Sequence, residues 1–197
     1  LRIDSDIQMA GGGLPQGRVS LRQARAGDPM SGVADLAPYS ANGQRLALTP
    51  IHFGPGPGGS TTISTIAQLD GPFPKGSVQA LRLPINGQIG KGGSFAFGTS
   101  CAVVSFNYLR VSALQLGATR LPVCPIGSAI VAKRAGAPVQ ASARFNGPVL
   151  NGRLGNSPLH LHAAGGQIIG KVFGVNNVAM RLGKPASPVL FDATRLN

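Results

Sequence analysis

SCAVVSFNYLRVSALQLGATRLPVCP, residues 100–125, has a rhythm of two. Val104, Phe106 and Tyr108 fall on one side of an extended chain. Leu109 and Val111, then Leu114 and Leu116, continue that side after short breaks. A helix would instead group residues three and four apart. The stretch therefore reads as two or three short β-strands with one apolar face. It also holds the only two cysteines of the chain, Cys101 and Cys124.

The same alternation recurs outward in both directions. RVSLR sets Val19 and Leu21 against Arg18, Ser20 and Arg22. QRLALTPIHF groups Leu46 with Leu48, then shifts phase to Ile51 and Phe53 after Thr49-Pro50, which predicts a bulge or a strand end at the proline. SVQALRLPI groups Leu81, Leu83 and Ile85, with Arg82 opposite. SFAFG adds Phe95 and Phe97. PLHLHAA places Leu159 and Leu161 in and His160 and His162 out. QIIGKVFGV groups Phe173 and Val175, NVAMRLG groups Val178, Met180 and Leu182, and PVLFDATRL is a last strand. Asn86-Gly87, Asn146-Gly147 and Asn151-Gly152 are read as turns between runs. About a dozen strands at spacings of roughly 8–15 residues predict an all-β fold, and the short connections predict mostly antiparallel pairing. The loose recurrence of strand, glycine and strand fits a degenerate β-repeat and the ordinary grammar of antiparallel sheets equally.

Composition agrees. The chain has 197 residues, 29 Gly and 16 Pro, with no Glu and no Trp. Such a chain is poor in helix formers. Hydrophobic residues make up 43% of it, too many to leave the chain disordered. We read residues 1–197 as a single β-rich segment with a candidate sub-boundary near 90–100. The first residue is Leu1, with no initiator Met and no signal-like segment, so the chain is expected to be an internal piece of a longer protein. No run reaches the roughly 18 apolar residues of a membrane helix.

The net charge is +12, from 18 basic and six acidic residues. A field of that sign draws anionic partners. The arginines, from Arg2 to Arg181, are spread along the chain rather than clustered, which argues against a nucleic-acid arm. Catalytic patterns are missing. INGQIGKGGS has Ile85 where a phosphate loop needs its first glycine, and Gly92 where it needs Ser or Thr. G-x-S-x-G is absent, and the closest carboxylates, Asp4 and Asp6, read as a solvated strand face. His160 and His162 share a face but have no third ligand nearby in sequence. The expectation is a protein that is not an enzyme, with no metal, no cofactor and no small-molecule site.

The cysteines admit two readings. They are a pair of buried thiols acting as small hydrophobes, or a disulfide enclosing 22 residues, worth about 3 kcal/mol on the chain-entropy model. Cys101 opens one strand and Cys124 ends a later one, a layout that favours the disulfide. A disulfide implies an oxidising compartment such as a bacterial periplasm.

The segment CAVVSFNYLRVSALQLGATRLPVCP, with the C-terminal FNGPVLNGRLGNSPLHLHAAGGQIIGKVFGVNNVAMRLGKPASPVLFDATRLN, resembles the YdbH-like branch of the AsmA-like bacterial envelope proteins. The resemblance covers residues 76–197. It implies a long periplasmic protein of a Gram-negative bacterium, anchored in the inner membrane by an N-terminal helix. Its body would be an elongated, curved, mostly antiparallel sheet of repeated short strands, whose apolar groove passes phospholipids between inner and outer membranes. The partners would be phospholipid acyl chains and components of both membranes, with no nucleic acid. The candidate groove lining is Leu81, Leu83, Ile85, Phe95, Phe97, Val104, Phe106, Leu109, Val111, Leu114, Leu116, Leu159, Leu161, Phe173 and Val175. Arg82, Arg110 and Arg120 are candidate headgroup contacts. Other readings are a closed β-sandwich or barrel with an ordinary core, a non-catalytic structural β-repeat of the envelope, and a polyanion-binding module.

Overall fold

The computed structural model of the protein describes residues 3–11, 16–23 and 25–196. Leu1 and Arg2, named above, lie outside them. Nineteen strands form one antiparallel sheet. Several are collinear pieces of a longer strand, so the nineteen condense into twelve rungs. In chain order these are β1 (Ile3–Met9); β2 (Gly17–Gln23); β3 (Ser31–Leu36) with β4 (Tyr39–Ala41); β5 (Gln44–Leu48) with β6 (Ile51–Pro55); β7 (Thr61–Phe73); β8 (Gly76–Ile89); β9 (Phe95–Phe97) with β10 (Ala102–Phe106) and β11 (Tyr108–Val111); β12 (Leu114–Leu116) with β13 (Thr119–Pro125) and β14 (Val131–Lys133); β15 (Gln140–Asn146) with β16 (Val149–Leu154); β17 (Ser157–Ile169); β18 (Val172–Leu182); and β19 (Val189–Leu196).

Every pairing joins a rung to the next one in sequence. The chain is thus an uninterrupted meander, about 50 Å across at the usual inter-strand spacing. Pairing runs through residues 90–100 without a break, because β8 bonds to β9, β10 and β11 alike. Among the described residues β1 pairs with β2 alone and β19 with β18 alone. Among the described residues the ladder does not close into a regular barrel, and no second sheet makes a sandwich.

A curved one-layer sheet leaves much surface in water. The chain exposes 12618 Å² at 20.0 kDa, where a globular protein of that mass exposes roughly 8,700 Å². Among the described residues no large side chain is fully buried. The tightest packing joins Phe145, Ala163, Val175 and Val178, with Leu121 and Leu161 against them.

The phase shift at Thr49-Pro50 is present. β5 ends at Leu48 and β6 starts at Ile51, and the register against β7 slips by one residue between them. Thr49 fills the gap: its Oγ1 accepts from the Ile66 N–H at 2.9 Å, and its carbonyl accepts from Thr65 Oγ1 at 2.7 Å.

The three Asn-Gly turns need correction. Asn86-Gly87 lies inside β8 and Asn151-Gly152 inside β16. Asn146-Gly147 falls where β15 passes into β16, yet the pairing with β17 keeps one register across it. The glycines answer a different need. Phe97 lies directly opposite Gly87, and a Cβ there would stand 2.7 Å from Phe97 Cδ1. Phe53 opposes Gly32, Phe73 opposes Gly76 and Phe145 opposes Gly166. In each pair the ring occupies the space a Cβ on the glycine would take. Rings lie over the bare backbone of the neighbouring rung and restore the apolar cover that glycine lacks.

GPGGS (56–60) and GKGGS (90–94), 34 residues apart, close two hairpins with the same turn. Gly58 and Gly92 have φ of 63° and 64°. In each turn the serine Oγ donates to the carbonyl three residues back, at 2.8 and 2.9 Å. The segment rejected above as a phosphate loop is this hairpin turn.

Cys101 and Cys124 form a disulfide, with Cα atoms 4.0 Å apart. Ala102 pairs with Val123 one step along, so the bridge continues the β10–β13 register. It sits where both rungs break, before the excursions at 98–101 and 126–130. Replacing both cysteines by alanine is expected to lower the urea-unfolding free energy by about 3 kcal/mol, and two titratable thiols in the unreduced native protein would contradict the bridge. Gly87→Val forces the Phe97 ring off the backbone and is expected to cost about 1–3 kcal/mol in the same measurement.

Candidate functional site: an uncovered apolar face

Residues directly opposite on neighbouring strands share a face, so the strand register maps both sides of the sheet. One row runs Gly71, Val78, Leu109, Leu116, Gly152, Leu159, Leu182 and Val189 across eight successive rungs. A second runs Ala102, Val123, Phe145, Gly166, Val175 and Leu196. Tyr39, Leu46, Leu69 and Leu81 make a third. Leu83 opposes Ala67, Ile85 opposes Thr65, Phe95 opposes Ile89, and Val111 opposes Leu114. Val104 and Phe106 join through Leu121 and Thr119, Leu161 through Leu150 and Met180, and Phe173 through Ile168. Tyr108, grouped with Val104 and Phe106 by alternation, lies on the other face, because the chain changes phase at Asn107 and Tyr108 pairs with Gln79. All fifteen residues singled out from the sequence as apolar lining lie on this one face.

Their burial differs. Leu116, Leu159 and Val175 are buried, Val111 and Phe173 are exposed, and the other ten are intermediate. The face is deepest around an apolar trough of about 540 Å³ lined by Leu46, Leu69, Phe73, Val78, Leu81, Val104, Phe106 and Leu109, with Tyr39 at its rim. Five of these nine, Tyr39, Leu46, Leu69, Phe73 and Val78, are not among the fifteen. Alternation in QRLAL points to Leu46. Val78 is hidden by a bulge: Ala80 takes φ 52° and Gly71 φ 118°, and the register slips between Leu69 and Gly71. The Asp70 carboxylate secures this bulge by accepting from the Ala80 N–H at 2.6 Å. Without the bulge, Val78 and Leu81 would fall on opposite faces.

The opposite face is polar and arginine-rich. Arg18, Arg22, Arg45, Arg82, Arg110, Arg120, Arg144, Arg153, Arg181 and Arg195 all occupy the alternate positions of their strands. Arg82, Arg110 and Arg120 therefore point away from the apolar rows. Arg110 is the one close to a rim, where it shares a hollow with Lys75, Ser77 and Ser112 at the Ser112-Ala113 hairpin. His160 and His162 are on this face too; His160 Nδ1 and Asn151 Oδ1 are 2.9 Å apart. Among the described residues, no three His, Cys, Asp or Glu side chains gather as metal ligands would.

Comparison with protein-family models, with curated proteins and with solved structures finds no match to this chain. Its chemistry rests on the geometry alone. The disulfide is the mark of an oxidising compartment such as the periplasm. Among the described residues no helix is long and apolar enough to cross a membrane.

An uncharged solvatochromic dye such as Nile red is expected to fluoresce on the folded protein. Leu109→Arg, at the trough centre, is expected to lower that signal several-fold, and Arg144→Gln, on the other face, to leave it unchanged. Equal loss in both variants would remove the trough as the dye site.

Proposed function

We propose that this chain is a segment of a bridge-like protein of the Gram-negative periplasm that conducts phospholipids between inner and outer membrane along its apolar face. The observation that carries the reading is the absence of any second layer over that face among the described residues. Twelve rungs present connected apolar rows to solvent. A surface of that extent on a soluble protein calls for an occupant. Acyl chains suit it because they need apolar area and no fixed donors, at about 0.8 kcal/mol per methylene buried. The resemblance of residues 76–197 to YdbH-like envelope proteins supports the same reading, as does the disulfide. On this reading, headgroups project past the strand ends, where the Lys75 and Arg110 hollow lies.

The arginine face favours a second reading, a polyanion-binding envelope module that takes lipopolysaccharide. It predicts binding to heparin that weakens steeply with salt.

Gently purified protein is expected to carry phospholipid detectable by mass spectrometry and to take up fluorescent phospholipid from vesicles. Leu114→Arg and Phe106→Arg are expected to reduce uptake several-fold. Protein that contains no phospholipid and takes none up would overturn the reading.

A further inference from the structure

We propose that a hollow at one hairpin end of the sheet, on the arginine-bearing face, binds a phosphate group. Its floor is made of Gln88, Ala96 and Ala132, directly paired across β8, β9 and β14. Two of these three side chains are single methyl groups, so the sheet surface is sunken there. The walls are the two G-x-G-G-S turns and the start of the β14–β15 connection. They bring Lys91 and Arg134 to the rim of a space of about 480 Å³; Lys133 borders it from the apolar face, where it pairs with Phe95.

Three features make this a site for an anion. First, cations from two separate segments, Lys91 and Arg134, line one hollow with no carboxylate among the lining residues. By contrast, the hollow that holds Arg181 also holds Asp192, and the trough beside Arg45 also holds Asp70. Two like charges at one hollow repel each other until an anion joins them, and the turn and the β14–β15 connection hold them there. Second, the turns are docked together. A Cβ on Gly59 would stand 3.7 Å from Lys91 Cε, and a Cβ on Gly92 would stand 3.1 Å from the Ala135 methyl. The lysine stem thus leans across the first turn. Third, hydroxyl groups at the rim are already committed inward. Ser60 Oγ donates to the Pro57 carbonyl and Ser94 Oγ to the Lys91 carbonyl. Ser60 Oγ also lies 3.1 Å from Gln88 Oε1, which leaves the Gln88 amide N–H groups as donors. The set of an ammonium group, a guanidinium and an amide suits the tetrahedral oxygens of a phosphate. The space also takes a small polar group bearing that phosphate, so a phospholipid headgroup and free phosphate share the chemistry. The inference stands apart from the acyl-chain reading, since the hollow is on the other face.

The test is a titration of isotopically labelled protein at 0.15 M chloride with potassium phosphate, and separately with dihexanoyl phosphatidylglycerol. Amide resonances of residues 58–60, 92–94 and 132–135 are followed. Saturable shifts confined to these turns are expected. They should weaken at least about tenfold in Lys91→Gln/Arg134→Gln and persist in Arg18→Gln/Arg144→Gln, which removes the same charge elsewhere on that face. Saturation by potassium phosphate assigns the site to free phosphate, and saturation by the phospholipid alone assigns it to a headgroup. Shifts that spread over the sheet without saturating, shifts equally weakened in both double variants, or no shifts with either probe would each overturn the proposal.

Discussion

A sheet one layer thick has nothing to bury its apolar face against, so its backbone pairing must hold it together. Each rung pairs with the rungs before and after it in sequence, and a short hairpin makes each connection. Pairing at such close range closes only small loops, which limits the entropy cost of each added rung. The long β7–β8 and β17–β18 hairpins carry the longest runs of pairing in the ladder. Between them, rungs seven and eight are each broken twice, and there the disulfide joins one to the other. Covalent linkage falls where hydrogen bonding is thinnest.

Glycine serves this architecture in a way that composition alone conceals. A chain with 29 glycines reads as turn-rich. Several of them instead lie inside strands beneath a phenylalanine of the next rung. The ring then lies along the backbone and need not project into a partner layer. That suits a face with no partner layer: a flat ring over a glycine keeps apolar surface continuous and shallow. Phe145 over Gly166, 6.0 Å centroid to centroid from Phe173, shows the same economy of height.

Much of this was legible in the sequence. Period-two alternation identified the strands and gave the face of Leu81, Phe106, Leu159 and Val175, because a residue's side of a strand is fixed by parity. The proline bulge at Thr49-Pro50 was legible for the same reason. Parity fails wherever the backbone inserts a residue without a sequence mark. Ala80 takes a left-handed conformation that alanine does not advertise, so Val78 could not be assigned from alternation. Asn-Gly misled because the dipeptide signals conformational freedom, whereas Gly87 and Gly152 meet a demand for space. The trough was only partly visible, since Tyr39 and Phe73 join it through partners on other rungs.

The division of charge completes the logic. Among the described residues every strand arginine is on one face, while four of the five lysines occupy turns and the fifth, Lys133, ends β14. An uncovered apolar face invites two copies to stack, and an open ladder invites edge-to-edge addition. A like-charged reverse face opposes further layers once one apolar face is covered. The edges carry charge as well: Asp4 and Asp6 on β1, Asp192 and Arg195 on β19. Asp4 lies 3.8 Å from Arg22, and Asp6 accepts a hydrogen bond from Ser20, so the β1 carboxylates are tied to the neighbouring strand. Charged edges and a charged back leave the apolar face as the surface on which a partner without charge gains most by binding. The charged back and outer strands thus oppose stacking on the arginine face and strand-to-strand addition, and the apolar face is the surface that neither of them guards.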